Sequence, residues 1–427
     1  MKTSKYNICL PFEGKHIIFN GVTKRFFMVS NQNKEAFLQI LSDPDEYTDS
    51  YGPFLQRMKD EGFIVEDSID EFVVVQQQYE TLREGKVYQL MILPTYNCNV
   101  RCWYCTQHHK NIRLTTNDVQ RIKNHISFYL SHHDIDGLRI MWFGGEPLLG
   151  FKQIDDISSF SKTLCEEKHL FFSCSITTNG ILLTEKILRK MKELNFTFFQ
   201  IAIDGIQEEH DKVKVVQGKS AYAQTLQNIC LITKILPEAR INLRYNYTMK
   251  NLKPDAFMDD LNRHIAPETR KHIILSLMKV WQEDELNISD DDLDRLANLA
   301  SSSGYTVRVG PGFSICYVED KHFNCVFPNG KMGKCDNIAP DECKGIIEET
   351  GEIIWEKENA FETNTVFNDS ESDCIQCKYL PLCYGPCPKE RDVAFENQRP
   401  LRCKYKHVDK TWTQRIIYYC KGYIKND

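Results

Sequence analysis

Six repeats of an apolar strand followed by an amphipathic helix predict an α/β fold for the central half of this chain. Two further observations frame that core. Residues 1–85 form a turn-rich α+β opening segment, and from residue 305 onward the periodicity fades while cysteines accumulate. The expected organisation is therefore an opening domain (1–85), a βα core (86–304), a cysteine-rich domain (305–407) and a closing helix (408–427).

Length and composition agree with this. A chain of 427 residues with 42% apolar and 26% charged residues is an ordinary globular protein with ample core. The net charge of −6 gives no reason to expect a nucleic-acid or anionic-membrane partner. No run approaches the ~20 apolar residues of a membrane helix. The N-terminus lacks the apolar core and cleavage site of a signal peptide, so the expected location is the cytoplasm. In that reducing compartment seventeen cysteines read as metal ligands rather than disulfides.

In chain order, Tyr6–Val29 reads as two strands joined at the turn Asn20-Gly21. Helices follow at Lys34–Leu41 and Tyr51–Gly62, then a short strand at Phe63–Val65 and a connecting helix at Phe72–Gly85. The core strands are expected at 89–93, 138–143, 171–177, 197–203, 241–248 and 273–280. Helices are expected at 117–130, 151–167, 184–194, 221–236, 254–264 and 290–300. Alternating units imply a parallel sheet with helices outside it. Functional residues then belong at the C-terminal ends of the strands.

The loop after the first core strand carries Cys98, Cys102 and Cys105 in a C-x3-C-x2-C spacing. Three thiolates on one short loop suit three irons of a 4Fe–4S cluster and leave the fourth iron open. Zinc is the competing reading, but structural zinc takes four ligands in pairs. Tyr104, just before the last cysteine, is an aromatic suited to cover a cluster and a flat ligand. The second strand ends in Gly144-Gly145-Glu146-Pro147, where glycines admit close backbone approach and a carboxylate suits an ammonium. The same four residues also make a common turn. The third strand ends in Thr178-Asn179-Gly180, with polar groups suited to ribose hydroxyls. Asp204 ends the fourth strand, as a ligand contact or a capping carboxylate. Arg244 lies on the fifth, as a carboxylate partner or a surface ion pair.

With C-x3-C-x-aromatic-C in place, the chain resembles the radical S-adenosylmethionine (SAM) superfamily. The resemblance implies a partial (β/α)6 TIM-like barrel in which the open iron chelates SAM and the reduced cluster cleaves it to a 5′-deoxyadenosyl radical. It also implies that Gly144, Gly145 and Glu146 meet the SAM amino group and that Arg244 meets its carboxylate. The opening segment resembles, in shape only, the winged-helix peptide-recognition domains fused to peptide-modifying enzymes.

Toward the C-terminus, Cys374, Cys377, Cys383 and Cys387 follow C-x2-C-x5-C-x3-C, with Cys403 beyond. Upstream, Cys316 precedes Gly330 by thirteen intervening residues, and Gly330 to Cys335 is G-x4-C. This resembles the SPASM domain. The resemblance implies two auxiliary 4Fe–4S clusters, one on Cys316, Cys335 and Cys387 with Cys325 as the candidate fourth ligand, the other on Cys374, Cys377, Cys383 and Cys403. Asp336 follows Cys335 where sulfatase maturases carry a general base. It is either that base or a partner of a cluster ligand. Cys9, Cys165, Cys174, Cys230, Cys343 and Cys420 read as buried thiols.

Three functions fit. The first is a peptide maturase that crosslinks a precursor peptide through a thioether or carbon–carbon bond, gripping the leader with residues 1–85 and taking electrons from a low-potential donor such as flavodoxin or ferredoxin. The second is an anaerobic sulfatase-maturating enzyme that makes formylglycine. The third, from another class, is a non-catalytic iron–sulfur electron carrier or zinc-ribbon interaction protein.

Overall fold

In the computed structural model, residues 1–107, 109–282, 290–310, 312–338, 342–356, 364–403 and 408–424 are described. The chain divides into two units, Met1–Gly85 with Gly312–Lys321 and Asn359–Asp427, and Lys86–Pro311 with His322–Glu358.

The first unit opens with strands β1 (Lys2–Thr3), β2 (Asn7–Phe12), β3 (Lys15–Asn20) and β4 (Phe26–Ser30), and closes its N-terminal part with β5 (Ile64–Val65). β2, β3 and β4 form one antiparallel sheet and β1 pairs with β5. The expected pair of strands is thus three. A tight turn at Glu13 (φ 46°) and Gly14 (φ 73°) divides the first stretch, both residues being left-handed as a two-residue hairpin turn requires. β3 is apolar on both faces because both are covered. Ile17 and Phe19 pack with Ile8, Leu10 and Phe12 against Trp412, Ile416 and Cys420 of the closing helix Val408–Ile424. Ile18 packs the other way, against Leu41, Leu55, Met58 and Phe63. The helix Glu71–Arg83 starts at Asp70, whose side chain accepts the Phe72 N–H.

The second unit is built on an 11-stranded sheet. Its strands are β6 (Val87–Ile92), β7 (Gly137–Trp142), β8 (Phe171–Thr178), β9 (Phe196–Ile203), β10 (Arg240–Tyr247), β11 (Ile273–Lys279), β12 (Thr306–Val309), β13 (Phe323–Val326), β14 (Lys331–Gly333), β15 (Gly345–Ile347) and β16 (Ile353–Trp355). The order is β12-β11-β10-β9-β8-β7-β6-β13-β14-β15-β16. β6 to β12 run parallel, each neighbour in the sheet being the next in sequence. The helices between them, Thr116–His132, Phe151–Glu167, Glu185–Glu193, Ala221–Ile235, Pro254–His264 and Asp290–Ser302, match the expected spans closely. Start signals fix several of them, such as the reciprocal box of Thr115 and Asp118. This is the α/β partial barrel expected. The five strands β12 to β16 were not legible. β12 extends the parallel series, and β13 returns to pair parallel with β6. Both have only four residues, too few to carry a periodic signal. Among the described residues no helix is long and apolar enough to cross a membrane.

Candidate functional site

The cysteine loop leaves β6 at Leu93 and is closed at its base. The Tyr96 N–H donates to the Ile112 carbonyl at 3.0 Å, the Thr95 hydroxyl to the same carbonyl at 2.8 Å, and the Leu114 N–H to the Pro94 carbonyl at 3.0 Å. Cys98 and Cys102 are partly covered, Cys105 is exposed, and the Cys105 N–H donates to the Cys102 carbonyl. Burial pushes the Cys98 thiol up to about 11. The His109 Nε2 stands 3.1 Å from the Cys105 sulfur, a neighbour that the sequence did not single out for that role. His108 lies outside the described residues.

Gly144 and Gly145 seat the end of β7 against this loop. A Cβ at Gly144 meets the Thr95 carbonyl at 2.6 Å, and one at Gly145 meets the Asn97 carbonyl at 2.2 Å. The Gly145 N–H donates to Thr95 and the Glu146 N–H to Asn97. The fully buried Glu146 carboxylate accepts from the Thr178 hydroxyl at 2.7 Å, the Asn179 N–H at 2.9 Å and the Leu148 N–H at 3.1 Å. Burial lifts its pKa to about 7, with those three donors pulling the other way. Asn179 turns its amide to Asn99 at 2.7 Å and lies 3.9 Å from the Cys98 sulfur. The ends of β7 and β8 therefore clasp the cysteine loop.

A second clasp comes from β9 and β10. Asp204 is fully buried; it pairs with Lys214, itself 2% exposed, and accepts from the Tyr104 phenol at 2.5 Å. Burial alone would raise this carboxyl. Lys214 and the hydrogen bonds outweigh it and hold Asp204 below its ordinary range. His210 Nδ1 accepts the Asp204 N–H at 3.1 Å, so the ring is neutral, and burial pushes its pKa down to about 3. Asn246 donates to Tyr104 at 3.0 Å and accepts from the Arg244 Nε at 2.9 Å. Lys214, His210 and Asn246 are the residues that sequence reading missed. The only hint was a lysine between valines at 213 and 215. Asp336 joins the same region, since the Gln107 side chain donates to its carbonyl at 3.2 Å and Arg244 feels its charge. A cleft of about 420 Å³ opens beside this network, lined by Trp103, Tyr104, Asp204, Asn246 and Asn251 among others.

In the first unit, Cys374, Cys377, Cys383 and Cys403 line a single cavity with Tyr379, Leu380, Val408 and Trp412. Four thiols around one cavity are a donor set suited to an iron–sulfur cluster. Cys316 and Cys387 lie in the first unit, and Cys325 and Cys335 in the second. Among the described residues no three His, Cys, Asp or Glu side chains are already drawn into a metal-ligand set, and no disulfide is formed. Of the scattered cysteines Cys165, Cys174, Cys343 and Cys420 are buried as expected. Cys9 is exposed, because it occupies an outward position of β2, and Cys230 is half-buried.

Residues 92–257 match the family model of the Radical SAM superfamily. A cysteine-type anaerobic sulfatase-maturating enzyme of Clostridium novyi is 24% identical over 357 residues, 73% of this chain and 91% of that protein. The solved structure of anSMEcpe with bound AdoMet superposes with a TM-score of 0.58 at 17% identity, over 80% of this chain and all of that one. Streptococcus suis SuiB bound to precursor peptide SuiA superposes with a TM-score of 0.51 at 13% identity, over 95% of this chain and 99% of that one. Residues 92–257 are a radical SAM domain, whose cofactors are a 4Fe–4S cluster and SAM.

Proposed function

We propose that this radical SAM protein is a peptide maturase that grips the leader of a ribosomally made precursor and crosslinks its core through a thioether or carbon–carbon bond. The observation that carries this reading is the free edge of the small sheet in the first unit. Both faces of that sheet are covered, and among the described residues β4 (Phe26–Ser30) pairs on one side only. The opposite edge strand, β2, contains Pro11, which cannot donate to an added strand. An extended leader adds to β4. The likeness to SuiB, which spans 95% of this chain, supports the reading.

When bound, the reduced cluster and SAM supply a 5′-deoxyadenosyl radical that removes a substrate hydrogen. Cys98, Cys102 and Cys105 are the proposed ligands of that cluster. The Tyr104, Glu146, Thr178, Asn179 and Asp204 side chains hold the loop that bears it, with Gly144 and Gly145 admitting the close approach. Arg244 offers a guanidinium to the SAM carboxylate. Cys374, Cys377, Cys383 and Cys403 hold an auxiliary cluster. Asp336 accepts a substrate proton. Leader binding away from the reacting atoms holds the core peptide in place, which is catalysis by positioning.

Sulfatase maturation is the second reading, favoured by the C. novyi relative and by Asp336 beside the cysteine loop. The discriminating experiment gives the anaerobically reconstituted full chain SAM, a reductant and either a short peptide encoded beside its gene or a sulfatase-motif peptide. Loss of one hydrogen from each of two joined atoms in the former supports crosslinking. Formylglycine in the latter, with no change in the former, overturns it. Removing residues 1–85 is a poor substitute test, because the closing helix packs on that sheet and would lose its partner.

A further inference from the structure

On the helix side of β6, at the end of the strand away from the cysteine loop, two tyrosines and three histidines form a cluster that has no part in the chemistry described so far. Tyr88 is fully buried, and its phenol lies 2.6 Å from His125 Nε2. His125 Nδ1 lies 2.7 Å from the Gly351 carbonyl, which can only accept. The ring proton is therefore on Nδ1, and Nε2 accepts from Tyr88. The Asn324 amide donates to the same phenol at 3.2 Å. Burial keeps both groups neutral, pushing the phenol up and the imidazole down. The Tyr129 phenol lies 2.8 Å from His322 Nδ1, so each tyrosine has its own imidazole. The rings are stacked. Tyr88 lies on Tyr129 with centroids 3.6 Å apart and planes 15° apart, and Tyr129 lies on His133 at 3.8 Å and 11°. Tyr129 is buried and His133 exposed, so the stack runs from the interior to solvent.

One buried tyrosine bonded to a histidine is a satisfied pair and needs no function. Two such pairs joined face to face are a different case. Aromatic rings prefer offset or edge-on contact at centroid separations of about 4.5–7 Å. This stack forgoes that preference and gains close overlap of two phenol π systems. A buried neutral phenol gives up an electron readily only if its proton has an acceptor, and His125 and His322 are placed as acceptors. The strand itself leads to the radical-generating site. Trp142, paired in register with Ile92 and so on the same face as Tyr88, puts an oxidisable indole four residues further along β6, about 13 Å at the strand rise. We infer that Tyr88 and Tyr129 form a one-electron relay that carries oxidising equivalents away from that site to solvent. The oxidant is an oxygen-derived radical of the kind formed when an iron–sulfur cluster meets dioxygen. It takes one electron and is reduced, and the Tyr88 proton passes to His125 Nε2, leaving a neutral tyrosyl and an imidazolium. Tyr129 then gives Tyr88 an electron and His322 a proton, while His125 returns its proton to Tyr88. A low-molecular-weight thiol gives Tyr129 an electron and water a proton, and His322 returns its own. The inference is independent of which substrate the enzyme modifies.

The experiment mixes the anaerobically reconstituted full chain with hexachloroiridate, a one-electron oxidant that stays in solution, and freezes it rapidly. Electron paramagnetic resonance is read at liquid-nitrogen temperature, where iron–sulfur signals relax too fast to interfere. Ring-deuterated tyrosine, which narrows a tyrosyl signal, identifies the radical. The parent is expected to give a tyrosyl signal whose formation slows in deuterated water. Tyr88→Phe and Tyr129→Phe keep the rings but lack the phenol, and each loses most of the signal. Tyr51→Phe, at an exposed position of the first unit, keeps it. His125→Gln slows radical formation and removes the isotope effect, a change that a packing role would not produce. Cluster absorbance in air bleaches faster in Tyr88→Phe than in the parent. A parent with no tyrosyl signal or no isotope effect overturns the inference without any variant. Parental radical yield in Tyr88→Phe, an isotope effect unchanged in His125→Gln, or equal bleaching of Tyr88→Phe and the parent overturns it as well.

Discussion

The two cysteine centres that each lie within one unit have opposite surroundings. The Cys98–Cys105 loop is held by polar groups, among them Thr95, Glu146, Asn179 and the Tyr104–Asp204–Lys214 chain, and it borders an open cleft flanked by Trp103, which is 57% exposed. The cavity of Cys374, Cys377, Cys383 and Cys403 is walled by Tyr379, Leu380, Val408 and Trp412, and those aromatic rings belong to the core of the unit. The same cysteine chemistry is thus placed once among polar groups beside a cleft and once among aromatic and aliphatic core side chains, where Cys374 is buried and Cys403 exposed. Solvent access and neighbouring dipoles are the protein's levers on an iron–sulfur centre.

The sharpest way to break this contrast is to remove one ligand from each centre. Cys105→Ala should abolish 5′-deoxyadenosine formation from SAM under dithionite, measured by chromatography, while the iron of the four-cysteine cavity stays. Cys377→Ala should lose about four irons yet keep SAM cleavage. Equal loss of cleavage in both would erase the distinction. Next in size, Lys214→Met strands the buried Asp204 carboxylate and should cost about 3–5 kcal/mol in urea unfolding. Adding Asp204→Asn should recover much of that loss, because the two residues form one network. Trp412→Ala opens the wall of the four-cysteine cavity and should cost about 3–5 kcal/mol, with faster bleaching of the cluster in air. Trp103→Ala on the open side should stay within about 0.5 kcal/mol; a comparable loss there would mean the loop is packed rather than open.

A pH-dependent effect concerns Glu146, whose pKa is raised from 4.5 to about 7 by burial. A carboxyl raised on folding contributes stability below its unfolded value, and that contribution is lost as pH rises through the folded one. Stability should therefore fall between about pH 4.5 and 7, by at most about 3 kcal/mol. Glu146→Gln, with no proton to lose there, should flatten the slope in thermal melts taken across that range. An unchanged slope would show that another group controls it.

Much of this was legible residue by residue. Strands β6 to β11 and their helices stand within a few residues of where apolar periodicity puts them, since each element's burial pattern repeats within a single window. Both cysteine spacings marked candidate ligand sets, and Tyr104 and Asp204 were both singled out. What the spacing did not convey is that they bond to each other, one hundred positions apart. The Glu13-Gly14 turn was missed because Asn20-Gly21 is the stronger turn dipeptide nearby.

The sequence by itself determined the parallel βα order, the three-cysteine loop at the end of β6 and the cysteine-rich C-terminus. These depend on local chemistry: alternation, turn residues and ligand spacing. Only the tertiary structure decided that Lys214 neutralises Asp204, that Glu146 is spent on Thr178 and Asn179, that Glu319 joins Cys316 to Arg391, and that the closing helix covers the N-terminal sheet and walls the four-cysteine cavity. Each of these joins residues far apart along the chain. A charge or an aromatic ring has the same local signature whether it faces solvent or a partner, so its role exists only once the chain has folded.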